Sequence, residues 1–366
     1  FFAKYGLKVK ERQEYDFAAP DLGTLVHAVL RCIGERLLEE GRPWRELKDD
    51  EILSLCTVET ERAAAEAANN ILMSDAYFRQ IKNRVVATLV RTVRQLRDFS
   101  EGSEFSVRAL EQPFGTKGAW EGLSFNLPDG VKVELVGQID RVDTLELDGR
   151  TFILIVDYKS GKKSITLPEV YSGLELQLFL YMAVARRNLG SKAVPAGAVY
   201  CRVRNDVQRC SAEPTAAEKE RAYIKAGQLS GFYLNDSDVV RALDDCTMEG
   251  RAASPYSGLK INNDGTLKKA ANVSDEAEWY RLLRLVEAAA CRSASELTGG
   301  CIDIYPARWG SSNEHKACDY CPYAALCRFD VTAEDGNSWN YLGNLSIDDL
   351  FPDTVIVKDG GQDGVD

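Results

Sequence analysis

One stretch constrains this chain more than any other: Gly137-Gln-Ile-Asp-Arg-Val-Asp143, the turn Asp148-Gly149-Arg150, and the run from Thr151 to Gly161. Asp-Gly is strong reversal chemistry, so Val131 to Leu147 and Thr151 to Tyr158 are predicted to be neighbouring antiparallel strands. Phe152 to Val156 is apolar throughout, as a buried strand requires. That strand then runs directly into Asp157-Tyr-Lys159, where period-two alternation sends Asp157 and Lys159 to one face. Asp140, at the end of the strand before, can join them at the same sheet edge. An isolated Asp-x-Lys is ordinarily a surface ion pair worth at most about 1 kcal/mol. Beside a buried strand that explanation weakens, because unpaired charge there is costly.

The rest of the chain supplies an α/β frame for this hairpin. Helical spacing covers Asp21 to Leu38, with Asp21 as N-cap and Leu22, Leu25, Val26, Val29, Leu30 and Ile33 on one face. Further helices are predicted over Asp49 to Asn70 and Asp75 to Asp98. The third carries Arg79, Lys82, Arg84, Arg91, Arg94 and Arg97 opposite an apolar face of Phe78, Ile81, Val85, Leu89 and Leu96. Strands are predicted at Phe105 to Leu110, Gly122 to Leu127 and Ala196 to Arg202, and a helix at Leu174 to Asn188. Helix, strands, helix and strand in this order imply a mixed central sheet flanked by helices. Later helices are expected at Ala216 to Ala226 and Asp275 to Ala294, with an irregular insertion or hairpin over Ala252 to Val273. The expected domains are an N-terminal helical region (1–104), the α/β core (105–212), a helical and irregular insertion with the last cysteines (213–330), and an acidic, flexible tail (331–366).

Composition sets limits on partners and compartment. The 366 residues hold 45 Lys and Arg against 56 Asp and Glu, a net charge of −11, which opposes long-range attraction to a polyanion unless positive charge is local. No apolar run approaches the ~20 residues of a bilayer helix, and no signal peptide opens the chain, so a cytoplasmic protein without a membrane partner is expected. The first residue is Phe1 rather than Met, which suggests a piece of something longer. Of ten cysteines, Cys32, Cys56, Cys201, Cys210, Cys246, Cys291 and Cys301 lack motif spacing and point to a reducing compartment. Cys318, Cys321 and Cys327 have metal-ligand spacing.

Two carboxylates and an ammonium at one spot suit phosphodiester hydrolysis. The carboxylates hold a hard cation such as Mg²⁺ or Mn²⁺, which polarises the phosphoryl oxygen and lowers the pKa of a bound water. Lys159 then orients that water or stabilises charge growing on the phosphate.

Asp140, Asp157-x-Lys159 and Gln177-Leu-Phe-Leu-Tyr181 together resemble the PD-(D/E)xK nucleases of the RecB type, whose core is restriction-endonuclease-like. The resemblance implies that Asp140, Asp157 and Lys159 are catalytic, and that Gln177 and Tyr181, one helical turn apart on one face, line the DNA side. Gly23-Thr-Leu-Val-His27 fits the family's histidine motif, which makes His27 a metal ligand with Asp140 and Asp157. Taken alone, His27 would be a satisfied core histidine, and Gln177 with Tyr181 a half-buried helix stripe. Glu111, in Glu111-Gln-Pro-Phe114 after the first strand, is a further candidate for the cleft.

The tract Cys318-x2-Cys321-x5-Cys327 is similar to that of the iron–sulfur subset of these nucleases: the nuclease domains of AddB subunits of AddAB helicase–nucleases, and CRISPR-associated exonucleases. There, three C-terminal cysteines and one distant N-terminal cysteine hold a [4Fe–4S] cluster. In the AddB pattern the first cysteine precedes a segment like Phe2-Ala-Lys-Tyr-Gly-Leu7, which places that ligand upstream of Phe1 and leaves the cluster incomplete here. Cys32 and Cys301 stand elsewhere. Zinc on the three cysteines and His315 is the alternative. Chain length, Lys10-Glu-Arg12, Gly231 to Asp236 and Ile302 to Pro306 favour the AddB type. That resemblance implies a DNA exonuclease acting on the 5′-terminated strand in double-strand-break repair, with DNA and an AddA-like helicase–nuclease subunit as partners. Ser160-Gly-Lys-Lys-Ser164 has Val156 where a P-loop needs its first glycine, so the chain has no ATP motor of its own. The basic helix over Arg79 to Arg97 is either a guide for single-stranded DNA or a solvated face. The remaining readings are a CRISPR-type exonuclease and a catalytically silent DNA-binding or assembly module on a nuclease-like fold.

Overall fold

Helical periodicity governs the first hundred residues. In the computed structural model, which describes residues 19–67, 76–161, 163–203, 215–245, 253–262, 267, 273–310, 315–332 and 338–342, α1 (Ala19–Glu39) buries Leu25, Val26, Val29, Leu30 and Ile33 as its spacing requires. It begins ahead of Asp21, so Asp21 lies in its first turn rather than capping it. Pro20 explains the difference, since proline is suited to the opening turn and has no amide to satisfy there. Helices α2 (Asp49–Ala67) and α3 (Ala76–Glu101) pack beside it, with Ile52 and Cys56 of α2 and Val85, Leu89, Val93 and Leu96 of α3 buried. The expected end of α2 at Asn70 lies outside the described residues, as do the side chains of Phe78 and Arg79.

The sheet elements follow. They are β1 (Ser106–Phe114), β2 (Ser124–Asn126), β3 (Lys132–Glu134), β4 (Gly137–Leu147) and β5 (Arg150–Lys159). After α4 (Leu167–Tyr171) and α5 (Gln177–Leu189) come β6 (Ala193–Arg202), α6 (Ala216–Ala226), β7 (Ser230–Leu234), α7 (Ser237–Leu243), β8 (Val273–Ser274) and α8 (Glu276–Thr298). One sheet has the order β1-β4-β5-β6-β7-β8. Its β5–β6 and β7–β8 pairs are parallel and the others antiparallel, the mixed α/β sheet that the element order implies. The predicted strand from Val131 to Leu147 is two strands. Its first part turns back on β2 as a separate hairpin, and only Gly137 onward enters the main sheet.

Burial is deepest at the centre of this sheet. Residues 152–158 of β5 and 193–201 of β6 are all buried, as expected for interior parallel neighbours. Next to them Phe179 of α5, Phe232 of β7 and Trp279 of α8 form an aromatic cluster with centroids 5.0–5.7 Å apart. β7 can approach β6 because residue 231 is glycine; a Cβ there would lie 2.4 Å from Ala198 O and 2.7 Å from Val199 Cα. In the predicted irregular stretch from Ala252 to Val273, Ile261 and Leu267 meet in an isolated antiparallel bridge and are both buried.

The chain divides into two compact units. One comprises Glu14–Ile165 and Gln177–Glu287 and contains the six-stranded sheet. The other takes its described residues from Thr166–Leu176 and Ala288–Asp366. It holds a small sheet ordered β10-β9-β11, formed by β9 (Ala307–Trp309), β10 (His315–Lys316) and β11 (Asn340–Tyr341), and the short helix α9 (Ala324–Cys327). Among the described residues no helix is long and apolar enough to cross a membrane.

Candidate active site

The β4–β5 register pairs Arg141 with Val156, so the next antiparallel step sets Asp140 against Asp157. Asp140 lies near the start of β4, beside the end of β5. Its Oδ2 accepts a 2.8 Å hydrogen bond from the Tyr158 amide, which fixes the carboxylate at the strand end. On the other side of β4, the β1 register brings Glu111 level with Asp140. Glu111 is within β1 rather than after it, and its backbone has φ 42°, a left-handed conformation unusual for a non-glycine strand residue. Strain of this kind persists only where neighbours enforce it. Here Gln138 Nε2 donates to Glu111 Oε2 at 2.7 Å, leaving Oε1 directed elsewhere.

His27 arrives from α1, which packs on β1. Its Nε2 is 3.0 Å from the Tyr158 carbonyl, and its Nδ1 is 3.4 Å from Glu111 Oε1 and 3.5 Å from Asp140 Oδ2. Since a carbonyl only accepts, Nε2 carries a proton and Nδ1 is the nitrogen facing the carboxylates. Burial opposes the charged ring, but hydrogen bonds and charge from Asp140 and Glu111 outweigh it and lift the pKa from 6.5 to about 10. In the metal-free protein the imidazolium thus bridges the two acids. Ligand atoms of His27, Glu111 and Asp140 all lie within 4.8 Å of one another, close enough to share one ion.

Asp157 completes the acidic patch. Its side chain is 1% exposed and its Oδ2 is 2.6 Å from Lys159 Nζ, yet neither oxygen has an aligned hydrogen-bond donor. The contact is therefore an ion pair by proximity, with the better-aligned Lys159 hydrogen bond going to Gln177 Oε1 at 3.1 Å. Burial and the nearby Asp140 charge push the Asp157 carboxyl up to about 6, against the pull of Lys159 and His27. Gln177 in turn donates from Nε2 to Tyr181 Oη at 2.9 Å, and the Tyr181 ring rests edge-on against Phe114 at 5.9 Å. All seven side chains belong to the larger unit.

Glu111 Oε1 and both Asp157 oxygens are buried without a well-aligned donor, although His27 and Lys159 stand close to them as charges. His27, Glu111 and Asp140 form a donor set rich in carboxylate oxygen, which fits a hard divalent cation better than a thiophilic one, and Asp157 stands next to Asp140 on the neighbouring strand, outside that three-residue group. Gln138 is not among the residues that the sequence motifs mark. A signal for it exists, since it lies two residues before Asp140 and alternation puts both on one face.

The other expected sites differ in character. On α3, Lys82 pairs with Glu61 at 2.9 Å, Arg94 with Asp49 at 3.2 Å, and Arg97 with Asp49 and Asp98 at 2.7 Å. Much of the basic face is thus neutralised by α2 and by its own acid. Cys318, Cys321 and Cys327 are free thiols in the smaller unit, Cys318 within a 3-10 turn, Cys321 capping its end and Cys327 at the end of α9. Burial, followed by charge from Cys321 and Cys327, raises the Cys318 thiol. His315 packs its ring against Trp309 at 5.7 Å on the neighbouring strand. Cys32 is half-buried in α1 and Cys301 is exposed.

Residues 1–328 match the family described as the PD-(D/E)XK nuclease superfamily. A Bacillus thuringiensis (strain Al Hakam) protein, named as a subunit of an ATP-dependent helicase/deoxyribonuclease, is 36% identical over 369 aligned positions, covering 99% of this chain and 31% of that protein. Proteins of the same name from Bacillus thuringiensis subsp. konkukian and Bacillus anthracis are 36% and 35% identical over the same shares. The chain spans about a third of the length of these relatives.

Proposed function

The chain belongs to the PD-(D/E)XK nuclease superfamily, and from that premise we propose that it is a divalent-metal-dependent deoxyribonuclease, the nuclease part of a helicase–nuclease subunit. One observation carries the reading. A buried Asp157 without an aligned donor stands beside Lys159 and the His27–Glu111–Asp140 group, an arrangement that is costly unless a cation and an anionic substrate complete it.

Asp140, Asp157, Glu111 and His27 would hold Mg²⁺ or Mn²⁺, which when bound supplies Lewis-acid polarisation of the phosphoryl oxygen and a more acidic water. The chain's own residues do the rest. His27 must give up its Nδ1 proton to ligate, while Nε2 stays fixed on the Tyr158 carbonyl. Lys159, held between Asp157 and Gln177, presents its ammonium where charge grows on the phosphate. Gln177 aims that ammonium. Because the Tyr181 hydroxyl accepts from Gln177, its own proton is available to a phosphate oxygen of the strand.

The names of the relatives, together with coverage of 99% of this chain, support placement in a subunit of an ATP-dependent helicase–nuclease, of the AddB type. Exonucleolytic hydrolysis of the 5′-terminated strand, double-strand-break repair, an AddA-like partner and a cytoplasmic setting belong to the same proposal. So does a [4Fe–4S] cluster held by Cys318, Cys321 and Cys327 with one further ligand. A silent scaffold would have no need of a complete Asp140, Asp157 and Lys159 set.

The test is digestion of end-labelled single-stranded and duplex DNA with Mg²⁺ or Mn²⁺. Asp157→Ala and Lys159→Ala should each lower the rate by about 10²–10³ or more. Cleavage unchanged in Asp157→Ala would sink the assignment, and labels at the two ends report polarity.

A further inference from the structure

Tyr200 lies directly beside the acidic site. The parallel β5–β6 register pairs it with Asp157. Its ring is 3% exposed, so its position is fixed by packing rather than by solvent. Two ammonium groups gather on that ring: Lys159 Nζ at 5.6 Å from the centroid and Lys163 Nζ at 5.4 Å. A ring face attracts each ammonium through its quadrupole and so helps to fix where the two side chains end. Lys159 has Asp157 as its counter-ion. Lys163, half-buried on the segment leaving β5, is carried to the same platform.

The ammoniums lie 5.6 and 5.4 Å from one centroid, so they are no more than about 11 Å apart. At a rise of about 3.4 Å per nucleotide, neighbouring phosphates of a single strand fit within that span. We propose that Lys163, positioned by the Tyr200 ring, seats a phosphate adjacent to the scissile one, so that the strand is held by two ammoniums of which only Lys159 meets the reacting group. The inference rests on the nuclease reading and extends it to a second subsite. Lys163 is a binding group, Tyr200 a positioning residue, and neither transfers a proton or an electron.

Because a phosphate seat is an electrostatic contact, it is read by salt. The experiment measures anisotropy of a fluorescein-labelled mixed-sequence single strand in EDTA over a range of NaCl, together with cleavage kinetics in Mg²⁺. Lys163→Gln should weaken binding about tenfold, the value of one charge-assisted contact. It should also reduce the slope of log K against log salt by about 0.7. KM should rise more than kcat falls. Lys163→Arg should restore affinity and slope, since a guanidinium keeps the charge and stacks on an aromatic face. Tyr200→Phe, which retains the ring, should behave as wild type, whereas Tyr200→Leu should move affinity and slope toward Lys163→Gln. Thermal melts matching wild type exclude misfolding as the cause. Unchanged affinity and slope in Lys163→Gln, with Asp157→Ala inactive, would overturn the seat and leave the nuclease reading standing. Cleavage surviving in Asp157→Ala would overturn both.

Discussion

His27, Glu111, Asp140 and Asp157 crowd three acids and one base into a space that balances them only partly. In the metal-free protein the His27 imidazolium acts as the resident cation, and its pKa of about 10 against an ordinary 6.5 has a direct thermodynamic result. A base whose folded-state pKa is raised stabilises the fold fully below its unfolded pKa, and that contribution disappears as pH climbs through the folded value. In EDTA, the melting temperature should therefore fall between about pH 6.5 and pH 10, and His27→Gln should flatten that part of the profile. A slope identical in the variant would assign the dependence to another group. Gly23-x-x-x-His27 pointed, by resemblance, to a histidine near the carboxylates, and His27 does lie beside Glu111 and Asp140. The conformation of Glu111 could not, because a positive φ at a glutamate within a strand is imposed by neighbours on β4 and α1 rather than encoded locally.

Secondary-structure elements place these side chains, and here legibility followed local chemistry. The β4–β5 hairpin was readable because Asp148-Gly149 marks the reversal and an unbroken apolar run follows it; Asp148 and Gly149 both adopt positive φ. By contrast, β6 begins at Ala193 rather than Ala196. Pro195 hides the earlier start, since it cannot donate to a ladder, but it is accommodated opposite Ile153 next to a register shift. Helix α5 begins at Gln177 rather than Leu174, because the amides of Leu174 and Glu175 bond back to the Glu169 carbonyl. That three-residue difference places Gln177 at the first turn, within reach of Lys159. The ion pairs of α3 were invisible for another reason, as Asp49 and Glu61 come from a different helix. The close approach of β7 to β6 also belongs to this scale. Gly231→Ala would drive a Cβ into Ala198 O and Val199 Cα, so overpacking should destabilise the fold by about 1–3 kcal/mol, measured as a lowered urea midpoint at constant m. An unchanged midpoint would mean that β7 shifts freely.

For the molecule as a whole, the acidic site and the cysteines belong to different units. Cys318→Ser should reduce the iron or zinc recovered per chain, read by elemental analysis with a sulfide assay to tell cluster from zinc, and unchanged metal content would remove that cysteine from the ligand set. The expected four-part division at 104, 212 and 330 follows composition along the chain. The compact units follow contacts between segments distant in sequence. The smaller unit includes Thr166–Leu176, and Glu169 within it accepts a 2.9 Å hydrogen bond from Trp309 Nε1, far down the chain. That short segment is spliced between Lys159 at the end of β5 and Gln177 at the start of α5. The cysteine-bearing unit therefore cannot be gained or lost as a cassette at one end of a gene. Removing the C-terminal residues alone would leave Thr166–Leu176 in place with Glu169 deprived of its Trp309 donor, so a truncation there is felt at a segment lying between Lys159 and Gln177 in the chain.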